Sequence, residues 1–259
     1  MPAPSATVKP GDRLIAIFGG KKVPKYRLMH LSTDTSEIDI IYTFAIVVRP
    51  DGITMFDTGF DAGTAAAWEI NAFTQPHDAL AEVGISPSDV DTIVVSHLHF
   101  DHFCVMPEFS SAKYYMQGAE VDYFTGRARS YPVSRLTNPA SIDKIEELRA
   151  AGRLHVLDGD ADVPGGRVKL VPGHSPGCQV MVVGEGGDVS CRLFASDTSH
   201  LYENLETGTP TTLIHDYDAY CDGFAIVTEA AGKGEWFPSH DPLIADRLER
   251  LSAHIYRIP

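Results

Sequence analysis

The chain has few cysteines and few basic residues, and each shortage excludes a class of protein. Its four cysteines are widely spaced without a Cys-x-x-Cys pair, so neither a disulfide scaffold nor a zinc ribbon is indicated. Lysine and arginine total 21 against 35 aspartates and glutamates, which gives a formal charge of −14. Because binding to a nucleic-acid backbone needs clustered positive charge, we expect no nucleic-acid partner and no nuclease activity.

Long apolar runs are also missing. The longest apolar stretch, residues 40–48, is far shorter than the roughly 20 residues that span a bilayer. Residues 1–10 contain prolines and small polar residues but no apolar segment of the kind found in export signals. We therefore expect a cytoplasmic enzyme with free thiols and no membrane partner. The 259 residues are enough to bury a substantial core, and we expect a single domain over residues 1–259.

Apolar periodicity predicts a β-rich chain with interspersed helices. Asp51-Gly52, between apolar segments 40–48 and 53–56, predicts a β-hairpin. Further strands are predicted at 92–95, 113–116, 154–157, 168–171, 180–183, 193–195 and 235–237. Helices are predicted at 76–83, 141–151, 219–231 and 243–254, the last from apolar residues at helical intervals.

The most informative segment is Ser96-His-Leu-His-Phe-Asp-His102, which follows an apolar strand-like segment. Residues i and i+2 project to the same side of an extended chain, so His97 and His99 can bind one metal ion. The chain must then turn for Asp101 and His102 to face a second ion. The alternative, that these histidines are ordinary polar residues, is disfavoured because matching ligand types occur downstream.

Three downstream residues complete a set of metal ligands, each in a loop-like setting after a strand-like segment. They are His174 in Gly-His-Ser-Pro-Gly, Asp197 in Ala-Ser-Asp, and His240 in Pro-Ser-His-Asp. Imidazole and carboxylate ligands suit zinc, although manganese, iron and cobalt accept the same donors. Five histidines and two aspartates are too many for one tetrahedral ion. The sequence therefore predicts two zinc ions that share a bridging carboxylate.

This ligand series, in this order, resembles the metallo-β-lactamase superfamily, and the resemblance covers most of the chain. Asp57-Thr58-Gly59 after an apolar strand also resembles the early Asp-Thr-Gly turn of that superfamily. The resemblance implies an α+β fold, a four-layer αββα sandwich with the metals at one edge. It assigns His97, His99 and His174 to the first metal, Asp101, His102 and His240 to the second, and Asp197 to the bridge.

The ligand types also distinguish branches within the superfamily. Asp197 rather than cysteine at the bridging position is unlike the common zinc β-lactamases, and His99 rather than glutamate is unlike the flavodiiron oxygen reductases. Three features look most like the N-acyl-homoserine-lactone lactonases and relatives that open other lactones: the Ser96–His102 run, Met116-Gln117 with Glu120, and His240-Asp241. This branch implies a dinuclear zinc hydrolase that opens a lactone ring by attack of a metal-bridging hydroxide.

Two aspartates and one histidine are expected to take part in the reaction. Asp101 or Asp197 can relay a proton to the departing alkoxide, and Asp101 is the first choice. Lactonases of this group usually carry a tyrosine three residues after the bridging aspartate, where this chain has His200. An imidazole there either donates the same hydrogen bond or belongs to a solvated loop. Asp57 either orients a ligand histidine or merely ends a strand in a turn.

Larger residues, Phe103-Cys104-Val105, stand where the superfamily often has a glycine pair. They would narrow the metal cleft or line it with apolar surface, which suggests a compact, aromatic or heterocyclic lactone; core packing of Phe100 and Phe103 is the simpler alternative. We expect loops near residues 29–40, 123–139 and 200–213 to shape the pocket. The sequence leaves the substrate and the oligomeric state open, a homodimer included.

Other activities remain as alternatives. A thioesterase of the glyoxalase II kind uses the same ligands but usually adds a basic C-terminal region, whereas this chain ends with only Arg247, Arg250 and Arg257. An iron-dependent oxygenase that acts on thiols or persulfides uses part of the motif with one metal. A non-catalytic binding protein on this fold is disfavoured, because the ligand set is complete.

Overall fold

The structure is a computed structural model that describes residues 8–259. Its strands, in chain order, are β1 (Arg13–Pro24), β2 (Glu37–Val48), β3 (Ile53–Phe56), β4 (Val90–Val94), β5 (Lys113–Gln117), β6 (Leu154–Leu157), β7 (Ala161–Val163), β8 (Gly166–Leu170), β9 (Gln179–Val183), β10 (Arg192–Ser196), β11 (Glu235–Pro238), β12 (Glu249–Arg250) and β13 (Ile255–Ile258). The α-helices are α1 (Ala62–Ala67), α2 (Pro76–Ala81), α3 (Gly118–Thr125), α4 (Pro139–Asp143), α5 (Ile145–Ala150), α6 (Tyr202–Thr207), α7 (Tyr217–Ala231) and α8 (Leu243–Arg247). None of the helices in residues 8–259 has the length and apolarity needed to cross a membrane.

The strands form two sheets. The larger sheet has the order β12-β13-β1-β2-β3-β4-β5-β6, and the smaller has the order β11-β10-β9-β8-β7. In the larger sheet β3, β4, β5 and β6 are parallel, whereas β13, β1, β2 and β3 are joined by antiparallel pairing. The β3–β4 and β5–β6 connections contain α-helices, which cover the outer face of this sheet, and the β4–β5 connection contains a short 3-10 helix.

Three apolar clusters separate four layers. The inner faces of the two sheets meet in one cluster that includes Ile15 and Val94 from the larger sheet and Met181 and Phe194 from the smaller. A second cluster packs helices against the outer face of the larger sheet, and a third packs α7 against the outer face of the smaller sheet. The order of layers is therefore helices, sheet, sheet, helices. This confirms the expected αββα sandwich.

Most of the predicted elements are present. The β-hairpin through Asp51-Gly52 joins β2 and β3 as predicted. The helix predicted over 141–151 is two shorter helices, α4 and α5. The helix predicted over 243–254 is wrong beyond Arg247, because the chain leaves α8 there and forms β12 and β13. The long strand β1 was not predicted, although it lies between β13 and β2 in the larger sheet.

Candidate metal centre and substrate cleft

The candidate ligands all lie in loops that follow strands. The loop after β4 carries His97, His99, Asp101 and His102, the loop after β8 carries His174, and the residues after β10 and β11 are Asp197 and His240. Strands β8, β10 and β11 run in the same direction, because β9 is antiparallel to both β8 and β10 and β10 is parallel to β11. Their carboxyl ends therefore meet at one edge of the sandwich, where the β4 loop joins them.

Four of the residues form a first group whose ligand atoms lie within 4.8 Å of one another: His97, His99, His174 and Asp197. His99 Nδ1 is 3.0 Å from His97 Nε2 and 2.9 Å from His174 Nε2. Asp197 Oδ2 lies 3.2 Å from His174 Nε2 and 3.7 Å from His97 Nε2. Three ring nitrogens and one carboxylate oxygen thus converge on one point, which is the donor number of a tetrahedral site.

A second group, Asp101, His102 and His240, lies on the other side of Asp197. Asp197 Oδ1 is 3.1 Å from Nε2 of both His102 and His240. Asp101 Oδ2 is 3.7 Å from His102 Nε2 and 3.5 Å from His240 Nε2. The two oxygens of Asp197 therefore face different groups, which is the arrangement of a carboxylate that bridges two ions through both oxygens. All seven sequence-predicted ligands are brought together.

In His174 and His240, the hydrogen bond of Nδ1 determines that Nε2 faces the cluster of candidate ligands. Nδ1 of His174 lies 3.0 Å from the carbonyl oxygen of Leu213, and Nδ1 of His240 lies 2.8 Å from that of Ile41. A carbonyl oxygen only accepts, so each Nδ1–H donates and each Nε2 presents a lone pair to the cluster. This arrangement is the one that metal-binding histidines use.

The donor set fits two metal ions. Nε2 of His102 has no hydrogen-bond partner in the described residues, although it lies beside carboxylate oxygens in the middle of the cluster. Burial, followed by the charges of neighbouring imidazoles, holds the pKa of His97 and His99 well below the usual value. Both rings are therefore neutral, which is the form that binds a metal.

Asp57 and Ser96 form hydrogen bonds that hold the loop after β4, which carries His102. Asp57 accepts hydrogen bonds from the Ser96 backbone N–H at 2.7 Å and from Ser96 Oγ at 2.9 Å, and its Oδ2 lies 2.8 Å from His102 Nδ1. Burial raises the pKa of Asp57, and the interaction with His102 opposes that rise. Of the two hypotheses for Asp57, the hydrogen bond favours orientation of a ligand histidine.

His200 lies within the same cluster rather than in a solvated loop. Its Nε2 is 3.2 Å from Asp197 Oδ2, and its ring centre is 4.9 Å from that of His240. Together with Asp197 and His240 it forms a third group of close ligand atoms. Its Nδ1 is buried and, unlike Nδ1 of His174 and His240, has no hydrogen-bond partner among residues 8–259.

Two cavities open beside the cluster. The larger, about 610 Å³, is lined by segments near residues 123–136 and 212–215 together with His99 and His174. The smaller, about 230 Å³, reaches the carboxylates and is hereafter the cleft; its lining includes Lys21, Arg27, Tyr42, Trp68, Phe100, Asp101, Asp197, His200 and His240. Two of the three predicted loop regions contribute to the larger cavity.

The expectation for Phe103-Cys104-Val105 is wrong, because none of these three residues lines either cavity. Phe103 is fully buried and packs against Tyr114 in the helix-side core, so it does not narrow the cleft. Phe100 lines the cleft and stacks on Trp68. Sequence reasoning missed the cleft residues Lys21 and Trp68, and no local motif marks either of them.

The chain is similar to known proteins in both sequence and fold. A family model described as the metallo-beta-lactamase superfamily matches residues 39–227. An N-acyl homoserine lactonase of Bacillus cereus is 33% identical over 132 residues, which cover 51% of this chain and 47% of that protein. An N-acyl homoserine lactonase of Agrobacterium fabrum is 26% identical over 129 residues, 45% of this chain and 46% of that protein. The chain thus spans about half the length of the curated relatives it matches.

Solved structures agree in fold. An N-acyl homoserine lactone hydrolase with the product N-hexanoyl-L-homoserine at its catalytic metal center superposes with a TM-score of 0.76 at 20% identity, covering 93% of this chain and 97% of that chain. AidC, a dizinc quorum-quenching lactonase, superposes with a TM-score of 0.71 at 18% identity, covering 91% of this chain and 90% of that chain. The family model matches well over half of the residues, and the solved structures share the fold of this chain. This chain therefore belongs to the metallo-β-lactamase superfamily.

Proposed function

We propose that this protein is a dinuclear zinc hydrolase that opens the ring of a lactone. The observation that carries the proposal is Asp197, whose two oxygens face two separate groups of imidazole and carboxylate donors. The similarity to N-acyl homoserine lactonases supports cyclic esters as the substrate class. Manganese, iron and cobalt accept the same donors, and zinc suits them best.

The metal ligands follow from the two groups. His97, His99 and His174 would hold one ion, Asp101, His102 and His240 the other, and Asp197 both. When bound, two such ions polarise an ester carbonyl and lower the pKa of a water molecule toward neutrality.

The chain's own residues supply the proton transfers and the orientation of the substrate. Asp101 is 9% exposed and lines the cleft, so its carboxylate is placed to take a proton from the attacking water and pass it to the departing alkoxide. Within residues 8–259 the Nδ1 atom of His200 has no acceptor, which favours a ring protonated on Nε2. That Nε2–H lies 3.2 Å from Asp197 Oδ2 in the lining of the cleft, so it is placed to share its hydrogen bond with a substrate oxygen, the role that tyrosine has in lactonases of this group.

The substrate assay separates this function from its rivals. Purified, metal-loaded protein is assayed with a panel of lactones and of acyl thioesters. Hydrolysis of each substrate is measured as the acidification of the solution. We expect turnover of at least one lactone with two equivalents of zinc bound. A preference for thioesters would assign the glyoxalase II type of activity instead. One equivalent of iron with oxygen uptake would assign an oxygenase acting on thiols or persulfides.

Two variants test the residue roles within that assay. Asp197→Ala removes the ligand shared by both groups and should abolish turnover, whereas Asp222→Ala, an exposed carboxylate on α7, should leave it unchanged. His200→Ala should lower kcat by about 100-fold while both metal ions stay bound, because one hydrogen bond to a developing charge is lost. An unchanged rate in Asp197→Ala would refute the two-metal mechanism.

A further inference from the structure

The cleft is lined by positive side chains in a strongly acidic protein. Lys21 and Arg27 both belong to its lining, whereas its carboxylates, within the described part of the chain, are the candidate ligands Asp101 and Asp197. The chain as a whole carries a formal charge of −14. The cleft therefore has two positively charged side chains although the chain as a whole is strongly acidic.

Lys21 is held in place at the edge of the cleft. Its side chain extends from the end of β1, and Nζ donates a hydrogen bond to the carbonyl oxygen of Trp68 at 2.9 Å. Nζ also lies 6.0 Å from the centre of the Trp68 ring. An ammonium group has three N–H donors, so two remain for a ligand. Burial lowers the pKa of Lys21, and the nearby charge of Arg27 lowers it further.

Arg27 adds a second cation from the short 3-10 turn that follows β1. Its backbone carbonyl oxygen accepts a hydrogen bond from Thr212 Oγ1 at 2.7 Å, which ties this turn to the loop that lines both cavities. Its guanidinium group is exposed and forms no ion pair with any residue between 8 and 259. A guanidinium group binds a carboxylate through two parallel hydrogen bonds.

The neighbouring lysines behave differently. Lys22 pairs with Asp39 at 3.1 Å, and Lys25 pairs with Glu203 at 2.8 Å. Neither of these lysines lines the cleft, whereas Lys21 and Arg27 do and have no ion-pair partner in the described structure. Of the four cations between residues 21 and 27, the two without an ion pair are thus the two that line the cleft.

An aromatic wall, formed by Trp68, Phe100 and Tyr42, stands beside these cations. Trp68 and Phe100 are stacked with ring centres 4.0 Å apart and an angle of 5° between their planes, and both line the cleft. Tyr42 continues this wall toward His240, with ring centres 5.4 Å apart. The aromatic side chains, the two cations and the candidate ligands thus line one cleft, where a planar ring system can contact all three.

We propose that the cleft selects a lactone that bears a carboxylate group, and that Lys21 and Arg27 bind this carboxylate while the lactone carbonyl faces the metal ligands. The proposal rests on the proposed lactone hydrolysis for its substrate class. It adds a requirement for negative charge that neutral lactones do not meet.

A matched set of lactones tests the effect of the substrate carboxylate alone. Phthalide, 5-carboxyphthalide and the corresponding uncharged carboxamide share one planar lactone and differ in a single substituent. With zinc-loaded wild-type protein, we expect kcat/KM for the carboxylate to exceed that for the carboxamide by at least tenfold, since hydrogen bonds to charged groups are the strong ones. Lys21→Met and Arg27→Met should each reduce this ratio by about tenfold, and Lys21→Arg should restore most of it. The control Lys22→Met removes an adjacent lysine that lies outside the cleft and should leave the ratio unchanged.

A binding measurement keeps this proposal separate from the hydrolysis. Calorimetry compares 2-(hydroxymethyl)terephthalate with 2-(hydroxymethyl)benzoate, the ring-opened forms of the carboxylate probe and of phthalide. Tighter binding of the terephthalate that is lost in Lys21→Met and Arg27→Met supports the subsite even if no lactone is turned over, in which case the proposed function alone fails. Equal affinities, or a difference that survives in both variants, would overturn the subsite even where phthalide is hydrolysed.

Discussion

Asp57 has an uncommon backbone conformation for its residue type, with φ of 68°. Non-glycine residues tolerate this left-handed region at a cost, and aspartate and asparagine tolerate it best. The conformation lets one buried carboxylate accept hydrogen bonds from Ser96 N–H and Ser96 Oγ and meet Nδ1 of His102. The local strain is therefore concentrated at the support of a candidate ligand.

We expect Asp57→Asn to weaken metal binding rather than folding. Asparagine keeps the size and the tolerance for positive φ, but its neutral oxygen accepts the proton of His102 Nδ1 more weakly, so the ring becomes a poorer ligand. The affinity of the second metal should fall by about 10-fold to 100-fold, measured by competition with a chromophoric chelator. Asp91→Asn, a partly exposed carboxylate that pairs with Arg49, is the control. Equal affinities in both variants would contradict the role of Asp57.

Sequence alone predicted the candidate ligands better than their surroundings, for a physical reason. His97, His99 and His102 lie within six positions, and the spacing of a strand that turns into a loop already directs them to one place. Lys21 and Trp68 are separated by 47 residues, and an antiparallel bridge between the neighbouring residues Gly20 and Asn71 brings them together. A contact between residues so far apart in the chain produces no local sequence pattern from which it could be predicted.

At the scale of elements, helix α3 connects two ligand loops through one buried side chain. Glu120, in the first turn of α3, accepts hydrogen bonds from the Leu98 N–H at 2.9 Å, from Ser175 Oγ at 2.8 Å and from the Gly177 N–H at 2.8 Å. Gly177 is required at this contact, because a Cβ there would lie 2.5 Å from Glu120 Cβ. The loops that carry His97 and His174 are thus fixed relative to each other.

Glu120→Gln should loosen this connection. Glutamine presents an amide N–H₂ to at least one donor that the carboxylate satisfied, so a buried donor is left without an acceptor. We expect the first metal to be bound about 10-fold to 100-fold more weakly, as measured by metal retention during dialysis against a chelator. Asp122→Asn alters an exposed carboxylate on the same helix and should retain both metals. If Glu120→Gln also retains them, the connection does not position the ligands.

The C-terminal segment shows how tertiary pairing overrides a helical pattern. Apolar residues recur at helical spacing across 243–254, but the helix ends at Arg247 and the chain returns as a β-hairpin. Ile255 and Ile258 pair with Ala16 and Arg13 of β1, where both isoleucines are buried. Completing the sheet with two buried β-branched residues outweighs the helical pattern, and no feature of the segment itself reveals that β1 is available.

The contact between α2 and this C-terminal hairpin predicts a pH dependence. Glu82, at the end of α2, lies 2.6 Å from His254 Nδ1 and accepts a hydrogen bond from the His254 backbone N–H. Burial alone would raise the pKa of Glu82, but the hydrogen bonds from His254 and Ser252 outweigh burial and lower the pKa below its usual value of 4.5. The stabilisation is therefore complete above pH 4.5 and is lost as the pH falls through the lower pKa of the folded state.

Glu82→Gln should reduce the free energy of unfolding by about 1 kcal/mol at pH 7, because a charge-assisted hydrogen bond is weakened. The difference from wild type should shrink as the pH falls below 4.5. Urea unfolding of both proteins at pH 7 and at about pH 3.5 measures this directly. Glu229→Gln, exposed near the end of α7, provides the comparison. A difference that is equally large at both pH values would show that packing, not charge, accounts for the loss.

At the scale of the whole molecule, the candidate metal centre is buried where the two sheets meet. Asp197 is 2% exposed and His97 is fully buried. Polar metal-binding groups therefore occupy a part of the interior that apolar side chains would otherwise fill. Imidazoles and carboxylates in such a position lose hydration and, without metal, depend on one another. Burial raises the pKa of Asp197, but the surrounding histidines His200 and His102 outweigh burial and hold it well below the usual range.

Removal of metal should therefore lower the stability of the whole fold. An ion that binds only the folded state adds about 2.7 kcal/mol when its free concentration is 100 times the dissociation constant, and two sites add more. We expect the chelated protein to unfold at a lower temperature than the zinc-loaded protein, and added zinc to restore the higher midpoint. Asp197→Ala should show a much smaller difference between the two conditions, because both groups lose their shared ligand. Scanning calorimetry of the four samples makes the comparison; a zinc-dependent shift of equal size in Asp197→Ala would place the stabilising ions elsewhere in the molecule.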